Sequence, residues 1–246
     1  MDKKVVLITG SSVGLGASIA KKFASNEYNV IINYLTHEKE ALQLQKHLEE
    51  KYNIECLCIE ADISNEEDVK YMCKKVINTF GHIDVLVNNA GIAHDTDISM
   101  KSKDVFMRIL EVNTFGTFNT SKIFGEEMNK NGHGIIINIA STNGIDSYYK
   151  YSIDYDASKA GVINMTHNLA NHFAPNIRVN AVCPGWINTP MNKNMDEEFR
   201  KKEEEKILLN RFAEPEEIAS LVYFLTTEEA SYINDSIIKI DGGKKC

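Results

Sequence analysis

Several features that mark other classes of protein are scarce or missing in this sequence of 246 residues. No stretch of about 18 apolar residues occurs, so no membrane span is predicted. The first apolar run, Val5–Ile8, is too short for the hydrophobic region of a secretory signal. Basic residues are in deficit, because 27 Lys and Arg face 35 Asp and Glu, which gives a net charge of −8. This balance argues against a nucleic-acid or anionic-membrane partner, which would need cations facing its phosphates.

Disulfide frameworks, metal-ligand patterns and linkers are also missing. The 5 cysteines are an odd number at no ligand spacing, which predicts reduced thiols in a cytoplasmic protein. The 7 histidines form no His-x-x-x-His pair, so no metal site is predicted. No repeat, low-complexity tract or Gly/Ser-rich linker divides the chain, and its length fits one α/β domain. We therefore expect a single domain over residues 1–246.

Short apolar runs rich in β-branched residues recur along the chain, separated by segments with helical periodicity. Continuous apolar runs of this length suit strands buried on both faces, as in a parallel sheet. Alternating strands and helices predict an α/β fold with a doubly wound parallel sheet of about seven strands. The predicted strands are Val5–Ile8, Val30–Ile32, Cys56–Ile59, Ile83–Val87, Ile135–Ile137, Ile177–Val182 and Ile237–Ile240.

Helical signals place helices between these strands, at residues 17–25, 37–51, 66–80 and 218–225. Ser64 and Glu67 have the spacing of a capping box that opens the third of these helices. Residues 191–206 are highly charged and predict a helical insertion outside the sheet, and we expect residues 186–210 to form a substrate lid. The side chains that would line this lid, or alternatively form the core of the insertion helix, are Trp186, Met191, Met195 and Phe199.

A glycine-rich segment, Thr9–Gly16, joins the first strand to the first helix. Glycines at such a junction permit positive φ angles and close backbone approach, so that amide groups and the positive helix end face an anion. The spacing G-x-x-x-G-x-G, without the Lys-[Ser/Thr] ending of a P-loop, favours a dinucleotide over γ-phosphate chemistry. The alternative is a glycine turn that only allows the strand and the helix to pack.

The end of the second predicted strand bears on the choice between NAD and NADP. An acidic side chain near this position typically holds a free ribose 2′-hydroxyl. This chain has Asn33 and Tyr34 there, and the first acid, Glu38, already lies in the following helix. We therefore expect NADP(H), with NAD(H) as the alternative. The candidate donors to a 2′-phosphate are Ser11, Ser12, His37 and Lys39.

Tyr155 and Lys159 are spaced one helical turn apart at the start of a predicted helix. Residues i and i+4 share a helix face, and a nearby ammonium favours the phenolate and shifts the tyrosine pKa toward neutrality. Tyr71 and Lys75 have the same spacing, which we interpret as a solvated face of the third helix. Tyr155 instead follows the fifth strand, whose end carries Ser141, and functional residues of open α/β sheets cluster at such ends. Ser141 would hold a substrate oxygen there, or serve only as a turn serine.

Taken together, these residues resemble the short-chain dehydrogenase/reductase family over essentially the whole chain. Each motif is weak alone, but their order and intervals are specific. The matching segments are Thr9–Gly16, Asp62–Ser64, Asn88–Gly91, Asn113, Ser141, Tyr155, Lys159, Pro184–Thr189 and Asp241–Gly243.

The resemblance implies a Rossmann-type fold and an NAD(P)H-dependent oxidoreductase that reduces a carbonyl to a secondary alcohol. It implies that Tyr155 is the general acid, while Lys159 lowers its pKa and holds the nicotinamide ribose. Ser141 would orient the substrate carbonyl. Asn113 would anchor a water in the proton relay, although an asparagine that only satisfies backbone groups looks the same in sequence. The implied cofactor-binding residues are Gly10, Ser12, Val13, Gly14, Leu15, Gly16, Asn33, Tyr34, Asp62, Ile63, Asn89, Ala90, Gly91, Tyr155, Lys159, Pro184, Gly185, Ile187 and Thr189.

Within the family, Gly91–Asp95 and Asp241–Gly243 look most like 3-oxoacyl-[acyl-carrier-protein] reductases and their near relatives. Acyl carrier proteins are acidic, yet the turn at 129–133 offers one firm cation, Lys130, and the turn at 172–176 offers none. The interval from Ser141 to Tyr155 is 14 residues, one more than the family spacing. Sugar, polyol or hydroxysteroid dehydrogenases therefore remain alternatives, as does a non-catalytic, cofactor-binding regulatory protein.

Family resemblance also implies partners. Members are commonly homotetramers or dimers built on the helices that correspond to residues 112–131 and 155–173. We therefore expect a homo-oligomer that acts on a small carbonyl or alcohol substrate.

Overall fold

The structure is a computed structural model that describes residues 3–146, 148–192 and 195–245. Seven parallel strands form one sheet in the order β3-β2-β1-β4-β5-β6-β7, which confirms the predicted doubly wound α/β fold. The chain order reverses between β1 and β4, and ligands of open α/β sheets bind at such a switch point. The strands are β1 Val5–Ile8, β2 Asn29–Tyr34, β3 Cys56–Glu60, β4 Val85–Asn88, β5 Gly134–Ile139, β6 Ile177–Pro184 and β7 Ile237–Ile240.

Helices cover both faces of the sheet because successive strand residues point to opposite sides. On one face Val6 and Ile8 pack with α1, α2 and α8, and on the other Val5 and Leu7 pack with α3, α5 and α6. Both clusters are almost entirely buried, which explains the continuous apolar runs in the strands. The helices are α1 Gly14–Ala24, α2 Glu38–Tyr52, α3 Glu66–Phe80, α4 Lys103–Leu110, α5 Gly116–Lys130, α6 Ile153–Phe173, α7 Glu197–Glu205 and α8 Pro215–Phe224.

Two local predictions need correction. Helix α1 begins at Gly14, three residues before the predicted start, because the glycine-rich segment itself enters the helix. The predicted capping box at Ser64 is wrong. Asn65 caps α3 instead, with its side chain accepting from the backbone N–H groups of Glu67 and Asp68. The Ser64 hydroxyl is directed to Asp62 Oδ1, at 2.6 Å.

The helix that the family resemblance implied from residue 112 to residue 131 is more complex than one continuous α-helix. Helix α4 runs into a π-helical turn, Glu111–Phe115, which continues into α5. Such wide turns are rare and frequently mark functional sites. The turn directs Asn113 into the interior, where the residue is fully buried.

The predicted insertion at 186–210 contains a 3₁₀ turn, Pro190–Asn192, and helix α7. Helix α7 has no buried residue, as expected for a helix outside the sheet. Asp196 caps it by accepting from the Phe199 N–H at 2.9 Å. Among the helices in the described part of the chain, none is both long and apolar enough to cross a membrane.

Candidate active site

One large cavity lies at the carboxyl ends of the strands and has a volume of about 1080 Å³. Every residue predicted to bind the cofactor lines it, and so do Ser141, Tyr155 and Lys159. Asn113 does not line it. The topology therefore brings together segments separated by more than a hundred residues. Within the described ranges, no group of three or more His, Cys, Asp or Glu residues is placed to hold a metal ion.

The glycine-rich segment presents backbone rather than side chains to this cavity. Gly10 and Gly14 both have φ near +59°, a conformation that other residues rarely adopt. A Cβ atom on Gly10 would lie 2.9 Å from Ala90 Cα, and one on Gly16 would lie 2.6 Å from the Gly10 carbonyl oxygen. Helix α1 opens with no capping side chain and no acid in its first turn. Its N-terminal amide groups are thus available to an anion such as a pyrophosphate.

Two of the predicted cofactor residues hold the glycine segment in place. Asn33 Oδ1 accepts from the Gly10 N–H at 3.0 Å, and its Nδ2 donates to the Ala61 carbonyl at 3.0 Å. Asn89 Nδ2 donates to the carbonyls of Thr9 and Gly10, at 2.9 and 3.0 Å. Both side-chain amides are thereby engaged with backbone groups. Asn33 and Asn89 therefore shape the cavity indirectly, by holding the glycine segment in position.

The side chains around the tip of β2 narrow the candidate donors to a 2′-phosphate. Ser11 is fully buried and its hydroxyl donates to the Ile8 carbonyl at 2.7 Å, so its proposed role as a donor is wrong. Lys39 lies outside the cavity lining, whereas Ser12 and His37 belong to it. Burial raises the pKa of Tyr34, and Glu38 and Glu60 nearby act in the same direction.

Arg108 also lines the cavity, although no motif in the sequence marks it as a functional residue. Its guanidinium forms an ion pair with Asp62, at 2.9 Å, and donates to Ser64 Oγ at 3.0 Å. Burial works to raise the pKa of Asp62, but the hydrogen bonds from Ser64 and the Arg108 charge outweigh it, and the pKa lies below its usual value. Asp62 is therefore held as an oriented carboxylate at the cavity edge.

Tyr155 and Lys159 meet on the first turns of α6, as their spacing predicts. The Lys159 Nζ atom lies 5.6 Å from the centre of the Tyr155 ring and donates to the Ile139 carbonyl at 2.8 Å. Lys159 is almost fully buried, and Tyr155 is partly exposed to the cavity. Ser141 sits at the end of β5 and lies within hydrogen-bonding reach of the Tyr155 phenol.

The electrostatics of this pair differ from the sequence argument. Burial raises the pKa of Tyr155 to about 12, while the hydrogen bond with Ser141 acts to lower it. Burial also lowers the pKa of Lys159 to about 8. In the chain alone the Tyr155 pKa moves away from neutrality, because desolvation dominates and Ser141 is the group that acts to lower it. Tyr155 is consequently a protonated phenol at neutral pH, the form that an acid needs. The effect of Lys159 on this pKa stays a prediction.

Asn113 is fully engaged by protein groups. Its Oδ1 accepts from the Ile92 N–H at 2.8 Å, and its Nδ2 donates to the Ile92 carbonyl at 2.9 Å and to Ser158 Oγ at 3.0 Å. These bonds join the segment after β4 to helix α6 next to Lys159. The side chain thus fits the structural alternative left open by the sequence.

A buried ion pair also connects these two segments. Lys101 Nζ lies 2.7 Å from both carboxylate oxygens of Asp154, and the two side chains are 5% and 0% exposed. Lys101 donates in addition to the His94 carbonyl. Asp154 Oδ1 accepts from the backbone N–H of Tyr155 at 3.0 Å. The start of α6 is therefore fixed to the loop that forms one wall of the cavity.

Aromatic side chains line the substrate end of the cavity. Trp186 and Phe199, predicted as lid residues, both belong to the lining, and Tyr149 joins them from the loop before α6. Met195 is partly buried but lies outside the lining, and the side chain of Met191 is outside the described part of the structure.

Comparisons with known proteins agree with this geometry. The protein-family model described as enoyl-(acyl carrier protein) reductase matches residues 10–245. The chain is 38% identical to the 3-oxoacyl-[acyl-carrier-protein] reductase FabG of Aquifex aeolicus, covering 99% of this chain and 98% of that protein. The FabG protein of Thermotoga maritima is 36% identical over the same shares of the two chains. A crystal structure of a dehydrogenase/reductase from Sinorhizobium meliloti superposes with a TM-score of 0.93 at 28% identity, over 99% of this chain and 95% of the other.

Proposed function

Because the chain belongs to the short-chain dehydrogenase/reductase family and is an NAD(P)H-dependent carbonyl reductase, we propose that it reduces a 3-oxoacyl thioester with Tyr155 as the proton donor. The observation that carries this proposal is the placement of Ser141, Tyr155 and Lys159 on the same cavity as the glycine-rich segment. The relatives from Aquifex aeolicus and Thermotoga maritima are 3-oxoacyl-[acyl-carrier-protein] reductases, which supports this substrate class.

The residues present fit a dinucleotide. The uncapped start of α1 would present its N-terminal amide groups to a pyrophosphate. Glycine is required at positions 10 and 16 because a Cβ there would collide with Ala90 and with the Gly10 carbonyl. Asp62 and Ile63 would face the adenine, and Ile187 and Thr189 would lie against the carboxamide. Ser12 and His37 favour a 2′-phosphate, so we propose NADP(H) as the preferred form. When bound, the nicotinamide supplies a hydride to the substrate carbonyl carbon.

The side chains of this chain would manage the proton. As the carbonyl oxygen gains negative charge, the Ser141 hydroxyl donates a hydrogen bond to it and Tyr155 Oη transfers its proton to the same oxygen. The Lys159 ammonium, at the face of the Tyr155 ring, stabilises the phenolate that remains and holds the ribose hydroxyls. Asn113 acts as a positioning residue through Ile92 and Ser158, and a water anchored near it remains a hypothesis.

We also propose that the protein forms a homo-oligomer, a dimer or a tetramer. Phe115 and Phe118 are 42% and 41% exposed, and their ring centres lie 6.1 Å apart at the start of α5. Ile153 is 45% exposed at the start of α6. Apolar side chains of this kind on the two expected helices support self-association. Cytoplasmic localisation and the lid role of residues 186–210 remain predictions.

Consumption of NADPH by the purified protein, with 3-oxobutanoyl-N-acetylcysteamine as substrate, tests the proposed activity. We expect NADPH oxidation with formation of the 3-hydroxy thioester, and slower turnover with NADH. The substrate is a thioester without an acyl carrier protein, because the surface expected to bind that acidic carrier has little free positive charge. Lys130, the firm cation of the turn before β5, is paired with Glu127 at 2.6 Å. Tight NADPH binding without reduction of this thioester, or of any ketone in a panel, would contradict the proposal.

A further inference from the structure

The loop between β5 and α6 lines the cavity and carries Tyr149. Tyr149 extends from this loop to the insertion at 186–210. Its ring centre lies 5.7 Å from that of Phe199 and 6.3 Å from that of Trp186. Aromatic rings at such separations are in contact, so no methylene group fits between them. These three side chains, which we call the aromatic wall, join the two sides of the substrate end.

The loop side of the aromatic wall is anchored by Asp156. Its carboxylate accepts from the Tyr149 backbone N–H at 3.3 Å, from Asn143 Nδ2 at 2.7 Å and from Ser152 Oγ at 2.8 Å. The Ser152 N–H donates in turn to the Tyr149 carbonyl at 2.9 Å. The backbone of Tyr149 is thus bonded on both sides to the first turn of α6.

The insertion side is anchored equally well. Trp186 stacks on Phe212 with ring centres 5.4 Å apart and planes inclined by 12°, and Phe212 is almost fully buried. The indole N–H of Trp186 donates to Glu203 Oε2 at 3.2 Å. Since neither side is free to retreat without breaking these contacts, a long substituent would have to displace the Tyr149 ring.

The aromatic wall stands near the reacting centre. Tyr149 and Tyr155 line the same cavity, and the Tyr149 N–H donates to the carboxylate of Asp156, the residue that follows Tyr155. The Thr96 N–H also donates to the Tyr151 carbonyl at 3.1 Å, which joins the Asp95 loop to the Tyr149 loop. The substrate end is therefore bounded close to Tyr155.

From this arrangement we infer that Tyr149 is a specificity-determining residue, which restricts the enzyme to short acyl chains beyond the carbonyl carbon. The inference rests on the proposed function, because it defines which 3-oxoacyl thioesters that site accepts. A pocket wall discriminates between substrates that differ by a few methylene groups by about 10- to 200-fold. We expect a ratio of kcat/KM between short and long chains of at least the lower value.

The test compares 3-oxobutanoyl, 3-oxooctanoyl and 3-oxododecanoyl thioesters of N-acetylcysteamine in the full-length enzyme. Wild type should prefer the shortest chain by about tenfold or more, and Tyr149→Ala should reduce this preference at least about fivefold. Tyr149→Phe keeps the ring and should keep the preference. Ile145→Ala is the control in the same loop, since Ile145 is 42% exposed and lies outside the cavity lining, so its removal should leave the chain-length ratio unchanged.

Two results would overturn the inference while leaving the proposed function intact. One is efficient reduction of all three chain lengths by wild type, and the other is an unchanged ratio in Tyr149→Ala. Tyr149→Ala is informative only if it binds NADPH as wild type does. If it does not, Phe199→Ala replaces it as the test, because this variant removes the opposite ring from the exposed helix α7. The preference for short over long acyl chains must then fall in Phe199→Ala. Failure of every variant and wild type to reduce the 3-oxobutanoyl thioester would instead contradict the proposed function, and the inference with it.

Discussion

The two ends of the cavity are built in different ways. At the end proposed for the cofactor, side chains such as Asn33 and Asn89 bond to backbone groups and hold the glycine segment against the cavity. At the substrate end, aromatic side chains from two distant segments bond to each other. The first end is built by backbone geometry, which tolerates few changes of position. The second is built by side chains, whose size and shape set what fits, so selectivity between substrates should be found there.

The buried ion pair of Lys101 and Asp154 joins the segment after β4 to the start of α6, so its removal is expected to have the largest effect on stability. Lys101→Met leaves the carboxylate of Asp154 buried without its cation, which typically costs about 3–5 kcal/mol. For a protein of this size, that corresponds to a fall in Tm of about 10 °C. Thermal unfolding measures it, with the exposed neighbour Lys103→Met as the control.

The double variant Lys101→Met with Asp154→Leu sharpens this result. Replacement of a whole buried ion pair by apolar residues is often nearly neutral, so the double variant should recover most of the lost stability. A Lys101→Met protein as stable as Lys103→Met would show that this pair does not hold the segment after β4 to α6.

The placement of the predicted residues on one cavity could be anticipated from the sequence because their signals are local. The glycine segment and Asn89 directly follow the ends of β1 and β4, and Tyr155 and Lys159 share one face of α6 through their i, i+4 spacing. Arg108 was missed because its partner Asp62 lies 46 residues away. Ser11 was wrongly predicted as a phosphate donor. Its hydroxyl turns inward to the Ile8 carbonyl, and the residue spacing does not reveal this direction. The cap of α3 was predicted one residue too early. The Ser64 hydroxyl donates to Asp62, so the neighbouring Asn65 caps the helix.

Lys159 lies beside the Tyr155 ring and is also proposed to hold the cofactor ribose, so its titration should be visible in the kinetics. Burial lowers its pKa from the ordinary 10.5 to about 8, so the ammonium is present below that pH and is lost above it. We therefore expect kcat/KM for NADPH, which reports the free enzyme, to fall as pH rises through about 8. In Lys159→Met this limb should vanish and activity should drop about 10²-fold or more.

Stability provides the control for that variant. Because the folded pKa of Lys159 lies below the unfolded one, burial of the cation opposes folding below about pH 8 and is relieved between about pH 8 and 10.5. Lys159→Met should therefore unfold at neutral pH no more easily than wild type. An alkaline limb retained in this variant would assign the titration to another group.

The smallest expected effects come from two neighbouring residues before α3, one of which should affect stability and the other NADPH binding. Asn65→Ala removes the cap of α3 and should lower the free energy of unfolding by about 1 kcal/mol, with little change in NADPH affinity. Ser64→Ala removes the hydroxyl that orients Asp62 and should change NADPH affinity more than stability. Equal losses of stability in the two variants, measured by urea unfolding, would contradict this division.

The central claim is that Tyr155 delivers the proton where the two ends meet, and Tyr155→Phe measured for both kcat and NADPH dissociation tests it most directly. The phenyl ring retains the packing beside Lys159 and removes only the acid. We predict that kcat for the 3-oxobutanoyl thioester falls by about 10³-fold, while the Kd of NADPH stays within about twofold of wild type. A kcat within tenfold of wild type, with the same Kd, would contradict the account.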